Sequence, residues 1–284
     1  PISHYDICLK AVQAGKHVYT EKPLCITRDE ADVLLRSAAE KKVRVGGAPD
    51  TFLGAGIQTC RKLLDDGWIG TPVSAAAFMM NHGHEHWHPA PEFYYKTGGG
   101  PMFDMGPYYL TALVNLLGPV KRICGSAKQS FKTRTISSEP LIGTLIDVDV
   151  PTHIAGIMDF ADGTVGTIVT SFDVYSHSMP FIEIYGSEGT MKVPDPNTFG
   201  GPVFIKRGRA DEWSEIPLVK EYPENSRGLG VVDMAEAIAA GRPHRASGEL
   251  TSHVLELMHG FHDASASGQY YQVKSSCSRP EAMG

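Results

Sequence analysis

Three short stretches of this chain carry residue types able to do chemistry. In TEKPL, residues 20–24, Lys22 directly follows a short apolar strand and Pro23 stiffens the chain behind it. Ligands of open α/β sheets gather outside the carboxyl ends of strands, where this ammonium would stand; the plainer reading is a surface lysine. In GGGPMFDMGPYYL, residues 98–110, three glycines let the backbone approach a ligand or a neighbouring segment closely. Asp104 and Tyr108 follow four residues apart, a spacing that presents both from one face of a helix over 103–117. The structural alternative is a helix-start carboxylate beside a core tyrosine.

The third stretch is NHGHEHWHP, residues 81–89, with histidines at 82, 84, 86 and 88. If extended, all four imidazoles would face one side, about 6.6–7 Å apart for alternate residues. Zinc–nitrogen bonds are about 2.0–2.1 Å, so two of them can share a metal but four on a straight strand cannot. A site would need a further ligand such as Glu85 after a bend. The prolines at 89 and 91 argue against a long regular strand. The loop leads within ten residues to Asp104, and His84, His86 and Trp87, with Tyr94 and Tyr95, suit a polyol: rings stack on its apolar faces while nitrogens and hydroxyls bond its hydroxyl groups. Substrate lining, a solvent or interface loop, and a metal site all stay open.

The elements that must position these groups come in two kinds. Over 5–14, apolar residues at helical spacing end at Gly15, and 17–20 reads as a strand. Thr27 and Glu30 form a capping-box pattern ahead of a helix burying Ala31, Leu34 and Ala38, and 43–45 is the next strand. Helix, strand, helix, strand is the rhythm of a parallel α/β sheet. Beyond Gly46-Gly47 the pattern changes. A helix over 54–66 and a strand over 73–80 precede the polar loop; later, strands at 154–160 and 164–172 flank Asp162-Gly163, a hairpin signal. Strands at 181–185 and 190–193 flank GSEG, and helices near 231–240 and 250–266 and a strand near 270–274 close the chain. The expectation is an α/β remnant of a Rossmann dinucleotide-binding domain at 1–48, followed at 49–284 by a larger α/β domain with a mainly antiparallel open sheet.

The chain has 284 residues and a net charge of −6, which gives no general reason to bind nucleic acid or an anionic membrane. No apolar run approaches the ~20 residues of a membrane span. Five cysteines lie far apart, at 8, 25, 60, 124 and 277, with no C-x-x-C pair, which fits reduced thiols in a cytoplasm. Cys25 follows the EKP turn but has no evident base. His153, Asp173, Tyr175 and His177 read as polar residues of a sheet surface. Arg242, His244 and Arg245 read as structural cations after a helix end. His253, His259 and His262 share a late helix and are expected to be partly exposed. The abrupt start at Pro1 reads as a fragment lacking its N-terminal segment.

Taken together and in this order, AGKHVYTEKPL, GGGPMFDMGPYYL, IEIYGSEGTMKVPDP and GRPHRASGEL resemble the Gfo/Idh/MocA oxidoreductases, which include glucose–fructose oxidoreductase and inositol dehydrogenase. The resemblance implies a nicotinamide enzyme that moves hydride to or from a carbinol carbon of a sugar, cyclitol or related polyol. It implies that Lys22 contacts the reacting hydroxyl and the nicotinamide ribose, with Glu21 and Pro23 beside it. Asp104 would hold the substrate and residue 108 would exchange the proton; a homo-oligomer formed through the second domain's sheet is also implied. Many members carry histidine where this chain has Tyr108, though some use tyrosine. A free phenol, pKa about 10, is a poor base at neutral pH unless a neighbouring ammonium favours the phenolate. A hydrogen-bonded Lys22–Tyr108 pair is therefore expected, with water-mediated transfer through Lys22 as the alternative. The family's G-x-G-x-x-G is absent from these residues, which removes the basis for choosing NAD over NADP and implies weak cofactor binding.

Two rival readings stand beside this one. One is a metal-dependent hydrolase or isomerase built on the 82–88 run. The other is a non-catalytic fragment that binds a ligand or a partner.

Overall fold

The computed structural model describes residues 2–284. Helix α1 (His4–Gln13) leads through Gly15, at φ +73°, into strand β1 (Val18–Thr20). Helix α2 (Arg28–Lys41) opens on the anticipated reciprocal cap: Thr27 Oγ1 accepts from the Glu30 amide and Glu30 Oε2 from the Thr27 amide. Strand β2 (Val45–Gly47) pairs parallel with β1, Val18 opposite Val45. Cys8, Val12, Val18, Leu34, Ala38 and Val45 fill the space between these helices and the strand pair. The parallel pair thus has the Rossmann order of elements, and its carboxyl ends carry Lys22 and Ala48.

Next come α3 (Ala55–Asp65), β3 (Pro72–Met80), a short α4 (Gly100–Asp104) and α5 (Gly106–Leu117). They are followed by β4 (Val120–Lys128), β5 (Thr133–Thr135), β6 (Leu145–Asp147), β7 (His153–Phe160), β8 (Val165–Ser171), β9 (Ile182–Gly186) and β10 (Gly189–Val193). The last elements are β11 (Val203–Arg207), β12 (Ser214–Ile216), α6 (Leu229–Ala240), α7 (Gly248–Ser267) and β13 (Tyr271–Gln272). Nine strands form one sheet in the order β12-β11-β10-β9-β3-β8-β7-β4-β13. Only β3–β8 is parallel; the other neighbours are antiparallel. Both anticipated hairpins form, at Asp162-Gly163 and at Ser187-Glu188. Strands β4, β5, β6, β11 and β12 have no counterpart in the sequence reading.

Helices α3, α5 and α7 cover one face of this sheet. On β7 and β8, Ile154, Met158, Phe160 and Ile168 point into that layer. Gly125 of β4 and Gly156 of β7 lie opposite each other, and a Cβ at Gly156 would sit 2.4 Å from the Phe261 ring. Lacking side chains, the two strands let α7 seat Phe261 directly on the sheet. The other face is uncovered and forms an open groove lined by Cys124, Ala155, Ile157, Thr167 and Val169.

The C-terminal helices return to the parallel pair. Ser247 forms a bridge with Gly46, and α6 and α7 both pack on β2. The expected exposure of His253 is not met: it is fully buried, accepting from the Val120 amide at Nε2 and paired through Nδ1 with Ser275. His259 and His262 are partly buried against Phe103. Arg242 and Arg245 clamp the buried Asp233, and His244 donates to the Val45 carbonyl, so these cations hold the fold. No described helix is long and apolar enough to cross a membrane, and the five cysteines are free.

Candidate active site

Lys22 stands on the loop after β1, pinned from both sides. His4 of α1 donates to the Pro23 carbonyl (2.8 Å), and His259 of α7 donates to the Ile26 carbonyl (2.8 Å). From this loop the ammonium crosses to the second part of the chain. It donates to the Asp104 carbonyl at 2.6 Å and to Asp104 Oδ1 at 2.7 Å. The partner side chains are 17% and 15% exposed, so the pair is largely buried but solvent still reaches it.

Asp104 is brought to Lys22 by the glycine run. A Cβ at Gly99 would lie 2.6 Å from the Phe93 carbonyl oxygen, so the chain can only turn there as glycine. The continuous helix expected over 103–117 is broken instead. Asp104 is the last residue of α4, Met105 caps it with its amide on the Pro101 carbonyl, and Tyr108 lies in the first turn of α5. A Pro at 107 explains the restart: it lacks an N–H and suits the first turn of a new helix.

The anticipated Lys22–Tyr108 hydrogen bond is not formed. The ammonium is engaged by Asp104 and lies over the Tyr108 ring, 5.3 Å from its centroid. Competition between acceptors explains the difference, since a carboxylate binds an ammonium more strongly than a neutral phenol does.

The second group on Asp104 is His84, whose Nε2 stands 3.3 Å from Oδ2. Burial pushes the Asp104 carboxyl upward, but the His84 hydrogen bond and the Lys22 ammonium outweigh it and hold it below the usual carboxylate range. Asp104 therefore bridges an ammonium and an imidazole as an anion. His84 is itself buried among Tyr94, Phe172 and Trp87, and its Nδ1 has no partner. Burial, with Asp104 next, pushes the Tyr94 phenol up to about 12, so it stays a neutral donor beside the carboxylate.

The four histidines do not form a row. The chain turns at 84–88, with the His88 amide bonded to the His84 carbonyl at 3.0 Å. His82 stacks on Tyr175 at 3.6 Å, His84 faces Asp104, His86 is exposed and His88 accepts from the Ala90 amide. Glu85, the candidate further ligand, is consumed elsewhere. It is buried, paired with Arg134 Nε and accepting from Tyr95 at 2.5 Å. Arg134 also reaches Asp173 at 2.9 Å and the carbonyls of His82 and Phe172. Among the described residues, no three metal-binding side chains cluster. Asp173 thus belongs to a buried support and not to a sheet surface; Arg134, far off in sequence, gave no local signal of this role.

Beside Lys22, the carboxyl ends of β1 and β2 open into a recess of about 210 Å³ lined by Tyr19, Glu21, Pro49, Asp50, Tyr108 and Arg227. Glu21 is exposed at its edge. Pro23, expected to touch cofactor, is buried, lining a small cavity with Ala48, Pro49 and Pro107. It shapes the loop instead.

A Rossmann-type parallel pair and a larger mixed-sheet domain, linked by the Lys22–Asp104 ion pair, define the architecture of a two-part oxidoreductase. Residues 1–47 match the oxidoreductase family with an NAD-binding Rossmann fold, and residues 57–192 match the GFO/IDH/MocA C-terminal domain. The chain belongs to the Gfo/Idh/MocA oxidoreductase family. It is 25% identical over 260 residues to a D-xylose dehydrogenase of Paenarthrobacter nicotinovorans, covering 83% of this chain and 66% of the relative. It spans between 42% and 52% of three other curated relatives it matches. Its fold is shared with an NAD-binding oxidoreductase from Klebsiella pneumoniae (TM-score 0.80, 19% identity, 96% of this chain and 78% of that one). It is also shared with a levoglucosan dehydrogenase in complex with NADH and L-sorbose (TM-score 0.79, 18% identity, 96% and 78%).

Proposed function

We propose that the protein is an NAD(P)-dependent oxidoreductase acting on a carbinol or carbonyl carbon of a sugar, cyclitol or related polyol. The observation that carries this reading is the Lys22–Asp104–His84 cluster, assembled from both parts of the chain at the mouth of the parallel pair. The donor set fits the nicotinamide end of the cofactor. The exposed Glu21, next to Lys22 in the chain, and Tyr108, whose ring lies under the Lys22 ammonium, line the recess at the strand ends, while these residues carry no glycine-rich turn for a pyrophosphate. When bound, the nicotinamide supplies or accepts the hydride.

The chain's own residues do the rest. Lys22, aimed by Asp104, donates a hydrogen bond to the substrate oxygen and stabilises negative charge developing there. Because the ammonium is held by the carboxylate and not by the phenol, Lys22 is the immediate proton-exchanging group. Tyr108 borders the recess and positions substrate with its hydroxyl, a smaller role than the one expected from sequence. His84 and Asp104 bind substrate hydroxyls, and the exposed Trp87 and His86 stand at the outer edge of the cluster. The xylose and levoglucosan relatives support a sugar substrate. The uncovered sheet face supports assembly into a homo-oligomer, and the free cysteines support a cytoplasmic location.

The test is NAD(P)H turnover of the full protein across a sugar and polyol panel. Lys22→Ala should cut kcat by about 10²–10⁴. Tyr108→Phe should cost no more than about tenfold, the effect of losing one neutral hydrogen bond to substrate. Equal large losses would restore Tyr108 as the proton-exchanging group, normal turnover in Lys22→Ala would end the role given to Lys22, and no turnover of any panel member by the unaltered protein would end the oxidoreductase reading.

A further inference from the structure

We propose that the site takes a glycoside: a second sugar ring, linked to the one whose carbinol faces Lys22, stacks on Trp87 beside Phe93. This rests on the oxidoreductase reading above. Trp87 and Phe93 are 55% and 50% exposed, although each could bury a large apolar area. They are not loosely tethered. Both Ser137 and Ser138 amides donate to the Glu85 carbonyl at 2.9 Å, and Ser138 Oγ donates to the His88 carbonyl at 2.6 Å. The buried Glu85–Arg134 pair anchors the same turn. A tightly built turn that holds Trp87 in water, with the exposed Phe93 of the next segment beside it, marks a surface meant to be covered.

Its position and chemistry name the occupant. The Trp87 ring stands edge-on to His84 at 5.4 Å, and His84 bonds Asp104 at 3.3 Å. The exposed indole is therefore one ring's contact away from the charged cluster, the step at which the next unit of a linked sugar would lie. His88 sits between the two rings, edge-on to Trp87 at 5.3 Å and to Phe93 at 5.4 Å. The Ala90 amide donates to His88 Nδ1, which places the ring proton on Nε2 as a donor. The exposed His86 adds a second polar ring. Aromatic faces interleaved with neutral hydrogen-bond donors match a pyranose, with its apolar C–H face and equatorial hydroxyls. They match neither a charged ligand nor the dry apolar surface of a protein partner.

Calorimetry on the full chain, titrating D-glucose, D-xylose, maltose, cellobiose and xylobiose, tests this. At least one disaccharide should bind about tenfold tighter than its own monosaccharide, the gain of one stacked ring. In Trp87→Ala that ratio should fall to about one, and Trp87→Phe should keep most of it. No disaccharide advantage, or a ratio unmoved in Trp87→Ala, overturns the proposal; so does loss of a dimer on gel filtration in Trp87→Ala, which would assign the indole to a second copy. The two readings fail separately. If Lys22→Ala abolishes turnover but the Trp87 ratio does not move, only the subsite fails. If the ratio falls as expected while the unaltered protein turns over no sugar with NAD(P)H, the subsite stands and the oxidoreductase assignment fails.

Discussion

Replacing Asp104 by asparagine keeps the size of the side chain and removes its charge, which isolates what the carboxylate does. As an acceptor on both oxygens, Asp104 satisfies Lys22 at 2.7 Å and His84 at 3.3 Å together. An amide cannot. If its oxygen keeps Lys22, its NH₂ meets the His84 Nε2–H; relief would move the imidazole proton to Nδ1, which is buried without a partner. If the amide turns over, its NH₂ meets the ammonium. One charge-assisted bond is lost, worth about 1.5–3 kcal/mol, and one buried donor is stranded at about 1–3 kcal/mol. Since the pair is 17% and 15% exposed, solvent recovers part of this, and a total of about 2–4 kcal/mol is expected. Calorimetric melting at pH 7 should show Tm lower by roughly 5–10 °C. The folded pKa of Asp104 is depressed, so its stabilisation is complete above the unfolded carboxylate value of about 4 and is lost as pH falls through the lower folded value. The Tm gap should therefore hold from pH 7 to about 5 and close below about 4. A cycle with Lys22→Met should show coupling of about 0.5–3 kcal/mol. Melting indistinguishable from wild type at pH 7, with no coupling, would mean the cluster is not held together as described.

Two further outcomes follow from the support beneath the histidine turn. Glu85→Gln breaks a buried pair with Arg134 and should destabilise by about 3 kcal/mol, read as a lowered Tm, because the guanidinium keeps only Asp173 as a charged partner; an unchanged Tm would show that Glu85 does not anchor the turn. Protein prepared without a histidine tag should carry no stoichiometric zinc, and added zinc should leave its Tm unmoved, since a ligand bound only by the folded state would raise it. Zinc at one per chain that disappears in His84→Ala would revive the metal-dependent alternative.

Periodicity and local chemistry made much of the scaffold legible. The capped helix α2, the parallel pair and the hairpins at 162–163 and 187–188 all follow from signals within a few residues. Strands such as β4 and β11 did not stand out, because their residues gain strand character only from neighbours on either side. Motif order placed the chain in its family, and the same motifs singled out Lys22, Asp104 and Tyr108; His84 stood out only as one of four histidines in the 81–89 run.

Which of those groups touch was beyond the sequence. Spacing alone put Asp104 and Tyr108 on one continuous helix, but a new helix starts between them at Gly106-Pro107, and Lys22 bonds the carboxylate while lying over the ring. Lys22 had two candidate partners, and only three-dimensional placement let the stronger acceptor win. Four histidines at equal intervals looked alike until Arg134, about fifty residues further along, tied Glu85 down and sent each ring to a different surrounding. Residue type and local period are properties of neighbours in the chain, so sequence determines them. Pairing of charges is decided by distance and burial between segments far apart in the chain, and those exist only once the chain is folded.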